Sequence, residues 1–168
     1  GYGWAMQAHV QHCVRWVPGE GVFGGREAVD AIEDTLAMGC WTPTTFFGIG
    51  ENGIADWSAQ LLAEDGSAFR VAFGGDKTGD VHWSHCGRHN VENALAALVA
   101  ARHAGVTPDV AMAALEEFQG VKRRLELLGS PGDVALYDDF AHHPTAIATT
   151  LQGLRARAGS GRVIALIE

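Results

Sequence analysis

Apolar positions near the start of the chain recur at helical spacing. Met6, Val10, Cys13, Val14 and Val17 predict a helix over 5–17, stopped by Pro18-Gly19. A second helical stretch runs over 27–38, with Ala28, Ala31, Ile32 and Leu36 available for burial and Gly39 as its C-cap. The pattern then changes. Short apolar segments at 45–49, 54–62, 68–73 and 80–83, parted by Gly-rich turns, predict a run of antiparallel strands. From Asn90 the helical period returns, with Ala94, Leu95, Leu98, Val99 and Ala101 on one helix that ends near Gly105. Thr107 and Pro108 then predict the cap and first position of another helix, with Val110, Ala114, Leu115 and Phe118 facing inward and Gly120 closing it. A loop holding Ser130-Pro131-Gly132-Asp133 precedes a strand at 134–137, a helix from Pro144 to about Ala158, and an apolar strand at 163–167. Strand, helix, strand is the order of a βαβ unit in a parallel sheet.

Composition narrows this picture. An apolar fraction of 47% with 19% charged residues is that of a chain with a real core. The net charge of −8 argues against a nucleic-acid partner, because phosphate binding relies on a basic face, and the cations cluster only at Lys122-Arg123-Arg124. No apolar run approaches the roughly 20 residues that span a bilayer. Cys13, Cys40 and Cys86 are odd in number and scattered, which fits a reducing cytoplasm better than a disulfide framework. The first residue is Gly1 and the last apolar run has nothing after it, so the chain reads as a piece of a larger enzyme. The change of character around 120–133 divides it into 1–120 and 121–168.

Several patterns imitate functional sites. Gly48-Ile-Gly-Glu-Asn-Gly53 matches G-x-G-x-x-G, but a strand follows it where a dinucleotide site requires a helix, so it reads as a hairpin turn. His82, His85, Cys86 and His89 straddle a strand end and a helix start, and His9, His12 and Cys13 read as a packed helix edge.

Three other segments carry more chemistry. Gly87-Arg-His-Asn-Val-Glu-Asn93 leads into a helix whose start exposes free N–H groups and positive dipole, suited to a nucleotide. Asn90 and Asn93, three apart beside His89, can present amide donors and acceptors on one face, as an adenine edge requires; Asn90 alone reads equally as an N-cap. Gly120-Val-Lys-Arg-Arg-Leu-Glu126 places guanidinium groups at the domain joint, where they can fork onto phosphate oxygens or remain a solvated basic loop. Tyr137-Asp-Asp-Phe-Ala-His-His-Pro-Thr145 lies where a strand ends and a helix begins, the ligand-binding edge of open α/β sheets.

In order and spacing, these three segments resemble the Mur ligases over residues 87–154. The details are most similar to the murein peptide ligase branch, which joins the recycled tripeptide L-alanyl-γ-D-glutamyl-meso-diaminopimelate to UDP-N-acetylmuramic acid. The L-alanine-adding branch carries D-D-Y-G-H-H-P where this chain has Asp138-Asp-Phe-Ala-His-His-Pro144, and it is the alternative, beside a non-catalytic nucleotide-binding module. The resemblance implies an α/β fold: the end of a central domain of antiparallel strands plus helices, then the first βαβ unit of a Rossmann-like C-terminal domain. It implies ATP-dependent activation of a carboxylate to an acyl phosphate, attack by an amine, and release of ADP and phosphate in the cytoplasm, with no nucleic acid and no membrane as partner. By the same resemblance, Asn90 and Asn93 with His89 lie at the adenine, Asp139 at the ribose, Arg124 toward the phosphates, and His142 in support. No G-x-x-G-K-[ST] loop occurs in the chain; that loop and the magnesium ligands are expected upstream of Gly1, so no complete catalytic set or metal site is expected here and the chain alone is expected to be inactive.

Overall fold

A computed structural model describes residues 14–17, 20–24, 44–50 and 55–167. The stretch 27–38, together with His9, His12, Cys13 and Cys40, lies outside the described residues. The first part of the fold is a six-stranded mixed sheet in sequential order: β1 (Val14–Val17), β2 (Glu20–Gly24), β3 (Thr44–Ile49), β4 (Trp57–Leu61), β5 (Ala68–Phe73) and β6 (Asp76–His82).

Residues 14–17 are thus strand and not the end of a helix. Val14, Trp16 and Val17 are β-branched or aromatic, and β1 pairs antiparallel with β2 from Val14↔Phe23 to Val17↔Glu20. That pairing supplies a ladder the helical period could not foresee. The antiparallel expectation holds for β4, β5 and β6, but β2 pairs parallel with β3 and β3 parallel with β4. β3 and β4 are therefore not the two arms of a hairpin. Gly50, at φ +123°, carries the chain out of the ladder, and Asp56 brings it back, its carboxylate accepting the Phe46 N–H at 2.8 Å and its carbonyl the Gly74 N–H at 2.8 Å.

Two helices cover one face of this sheet. Helix α1 (Arg88–His103) buries Val91, Ala94, Leu95, Ala96, Leu98 and Val99 against Phe47, Trp57, Ala59, Phe69, Val71 and Val81. Gly105, at φ +91°, ends it, and the Val106 N–H returns to the Ala101 carbonyl at 2.9 Å. Helix α2 (Pro108–Glu117) begins with Thr107 as its N-cap residue and Pro108 at its start, and packs on β6. Its inward residues are Ala111 and Met112, with Leu115 half-buried against the core; Val110, Ala114 and Phe118 are exposed. The Met112 thioether lies under Gly79, where an added Cβ would sit only 2.6 Å from Met112 Cε. This fit sets the helix rotation, about one residue away from the face the apolar pattern indicated.

The second part opens with β7 (Glu126–Gly129), antiparallel to β8 (Leu136–Asp138), and continues into α3 (Pro144–Ala158). Both ends of α3 match the expectation from Pro144 and Ala158. Residues 162–167 follow without a ladder, with Ile164, Leu166 and Ile167 exposed. The order strand, helix, apolar segment is retained, but among the described residues 162–167 pair with no strand. No described helix is long and apolar enough to cross a membrane.

Candidate functional site

The segment before α1 is shaped by Gly87, which stands at φ +97° and donates its N–H to the Asp65 carbonyl at 2.6 Å. Having no side chain, it leaves the first turn of α1 without a side-chain cap. The His89 ring folds back over it: a Cβ on Gly87 would lie 2.6 Å from His89 Cε1. His89 Nδ1 is buried without a hydrogen-bond partner. Burial pushes the imidazole below its ordinary pKa, and the nearby Asp139 carboxylate opposes that shift only in part. A neutral ring with one unsatisfied nitrogen, next to an anion, is a group prepared to exchange a hydrogen bond with something polar. Asn90, one residue on, donates its side-chain amide to the Cys86 carbonyl at 2.7 Å, stitching the turn to the helix, and Asn93 sits exposed one turn further along α1.

Across from this turn, Asp139 follows β8. One carboxylate oxygen accepts the Leu125 N–H at 2.8 Å; the other accepts the Ala141 N–H at 2.8 Å and lies 3.5 Å from the Thr150 hydroxyl. Asp139 therefore ties the basic turn to the start of α3. Within that turn Arg123 and Leu125 have φ of +59° and +52°, conformations L-residues adopt at a cost. The Arg123 N–H is held by Glu126 at 2.8 Å, and the Arg123 carbonyl accepts the Phe140 N–H at 2.9 Å.

Phe140 then acts as a platform. The Arg123 and Arg124 guanidiniums lie 5.2 and 5.9 Å from its ring centroid, and His142 meets it edge-on at 5.0 Å. Arg123 also approaches Asp138 at 3.3 Å. His142 Nδ1 is 2.9 Å from the Phe140 carbonyl, which fixes the ring. The candidate residues thus fall into two adjoining groups, His89 beside Asp139 and Arg124 with His142 on Phe140, with Asn90 and Asn93 on the helix behind His89.

Of the other spaced His and Cys residues among those described, His85 and Cys86 serve packing. His85 Nε2 is 3.0 Å from the Phe118 carbonyl, and its ring packs between Trp83 and Phe118, against Gly120. Cys86 is fully buried and burial raises its thiol pKa; His82 is exposed. Among the described residues no group of three or more His, Cys, Asp or Glu is arranged to hold a metal ion.

The family model described as "Mur ligase, glutamate ligase domain" matches residues 123–167. The UDP-N-acetylmuramate--L-alanyl-gamma-D-glutamyl-meso-2,6-diaminoheptandioate ligase of Escherichia coli is 46% identical over 165 residues, 98% of this chain and 35% of its own length. The chain belongs to the Mur ligase family. A murein peptide ligase from Psychrobacter arcticus has a solved structure that superposes with a TM-score of 0.63 at 44% identity, over 93% of this chain and 33% of that one. A Mycolicibacterium vanbaalenii UDP-N-acetylmuramate--L-alanine ligase matches less of the Mur ligase chain, 49% identical over 85 residues, 49% of this chain and 18% of its own length. The chain spans about a third of the length of the murein peptide ligases it matches.

Sequence reasoning missed the residues joining the two parts of this Mur ligase. Arg157 Nε reaches Asp65 Oδ2 at 3.1 Å and its Nη2 the Ser84 carbonyl at 2.9 Å. Four residues earlier, Gly153 is buried so closely on Gly87 that an added Cβ would lie 3.0 Å from Gly87 Cα. A glycine inside a helix was the one available signal.

Proposed function

We propose that this chain forms the adenosine-binding side of the ATP site in a ligase that joins murein tripeptide to UDP-N-acetylmuramate through an acyl phosphate, for peptidoglycan recycling. The observation that supports it is the His89 ring, folded over Gly87 at the start of α1 with its buried Nδ1 unpartnered and the Asp139 carboxylate near enough to act on its pKa. In this reading, Asn90, Asn93 and His89 hold the adenine edge and Asp139 takes the ribose hydroxyls. Arg124, steadied on Phe140, reaches the phosphates, and His142 braces the same platform. The orphaned His89 nitrogen is the group that fits a polar ligand best. Magnesium neutralises phosphate charge when bound; its ligands are sought outside the described residues. The joint between the two domains lies near Gly120, with 1–120 closing the central ATP-binding domain and 121–168 opening the C-terminal ligase domain.

The test is ADP release by the full-length protein carrying this chain, given UDP-N-acetylmuramate and either the tripeptide or L-alanine. Tripeptide-dependent release that is lost in Asn90→Ala supports the reading. Release with L-alanine alone assigns the L-alanine-adding activity instead, and no release with either amine defeats both in favour of a non-catalytic nucleotide-binding module.

A further inference from the structure

We propose that Gly153 and Arg157 form a seat through which α3 positions the 139–142 loop over the start of α1, which makes Arg157 a positioning residue for the nucleotide. The inference rests on the ATP reading above and adds residues outside its motifs. Glycine is the poorest helix former after proline, so a buried glycine inside α3 calls for a packing reason. That reason is Gly87, the residue that opens α1: a Cβ at position 153 would stand 3.0 Å from its Cα and 3.3 Å from its nitrogen, both unyielding backbone atoms. Arg157, one helical turn later, lies on the same face. It grips Asp65 and the Ser84 carbonyl, with its side chain 29% exposed and that of Asp65 16% exposed.

Asp65 links the contacts together. Its carbonyl accepts the Gly87 N–H at 2.6 Å, while one carboxylate oxygen accepts the Ser67 amide and hydroxyl and the other meets Arg157. The backbone that shapes the α1 start and the carboxylate that anchors α3 thus belong to one residue. Gly153 lies nine residues after Pro144, so the seat is roughly 13 Å along the helix from the loop it aims. A tilt of about 5° there displaces the 139–142 loop by ~1 Å, enough to cost up to ~100-fold where geometry limits a reaction.

The experiment compares full-length wild type with Gly153→Ala, Arg157→Ala and Arg157→Lys, measuring ATP KM, kcat and the thermal midpoint. Gly153→Ala improves the helix and disturbs only the seat. Its expected signature is an ATP KM raised about 10-fold or more without a lower thermal midpoint. Arg157→Ala raises KM to a similar degree, and Arg157→Lys recovers part of it, since one ammonium cannot reproduce the fork onto Asp65 and Ser84. Unchanged KM in both Gly153→Ala and Arg157→Ala, or a loss of thermal stability alone, overturns the proposal. Calorimetric titration of wild type with ATP separates the two ideas: no binding there defeats the ATP reading itself, whereas wild-type binding with indifferent variants defeats only the seat.

Discussion

Replacing Asp139 with Ala removes an acceptor from two backbone N–H groups, those of Leu125 and Ala141, each at 2.8 Å. Hydrogen bonds to a charged acceptor contribute roughly 1.5–3 kcal/mol each, and for a half-buried carboxylate, where water replaces part of the loss, about 1 kcal/mol apiece is the appropriate scale. The Arg123–Leu125 turn gives a second measure. It holds two non-glycine residues at positive φ, at about 1–2 kcal/mol each, and Asp139 and Glu126 are among the groups that keep it there. Asp139→Ala should therefore destabilise the chain by about 2 kcal/mol, which for a domain of this size lowers the thermal midpoint by roughly 4–8 °C. Asp139→Asn keeps one acceptor oxygen and turns an amide donor toward the other N–H, so about half the loss is expected. Circular-dichroism melts of the three proteins at pH 7.5 decide it. An Asp139→Ala midpoint within about 1 °C of wild type would refute the reasoning, because the carboxylate would then not be holding the turn. The result also governs how nucleotide binding is read: a loss of ATP affinity reports ribose recognition only where Asp139→Asn remains folded.

The half-buried neutral His89 makes stability depend on pH. Its folded pKa is depressed, chiefly by burial, so the unfolded chain takes up the proton first as pH falls, and stability declines below about pH 6.5 until the folded pKa is passed. Urea midpoints at pH 7.5, 6.0 and 5.0 should fall in wild type and fall less in His89→Asn; equal slopes would contradict the assignment. Asp65 adds a separate acid limb. Burial alone would raise its pKa, but the Ser67 hydroxyl and amide, and then Arg157, hold it below the usual carboxylate value, so this contribution is present above about pH 4 and lost below it. In the core, Leu95→Ala at a fully buried position should cost about 3 kcal/mol in a urea melt, whereas Val110→Ala, at 57% exposure, should stay within about 0.5 kcal/mol. Comparable losses at both positions would show that α2 is rotated toward the face its apolar pattern indicates.

The sequence by itself determined what rests on short-range chemistry. Thr107-Pro108 and Pro144 marked helix starts because proline fits a first turn, and Gly105 marked an end because it adopts a left-handed conformation. The strands at 45–49 and 68–73 were legible from apolar runs between turns, and the three functional motifs from their residue types and spacing. Tertiary structure decided whatever required a distant partner. Val14 to Val17 became a strand because β2 offered a ladder, and β3 runs parallel to β4 although the turn between them read as a hairpin. Val110 and Phe118 were left exposed because Met112 fits under Gly79. Arg157 meets Asp65 across 92 positions, and the Asp139 carboxylate acts on His89 from 50 positions away, separations over which no periodicity or cap carries information. Asp139 shows the division most clearly. Its place in the motif pointed to a ligand, and only the folded chain shows that the same carboxylate also holds the basic turn against the start of α3.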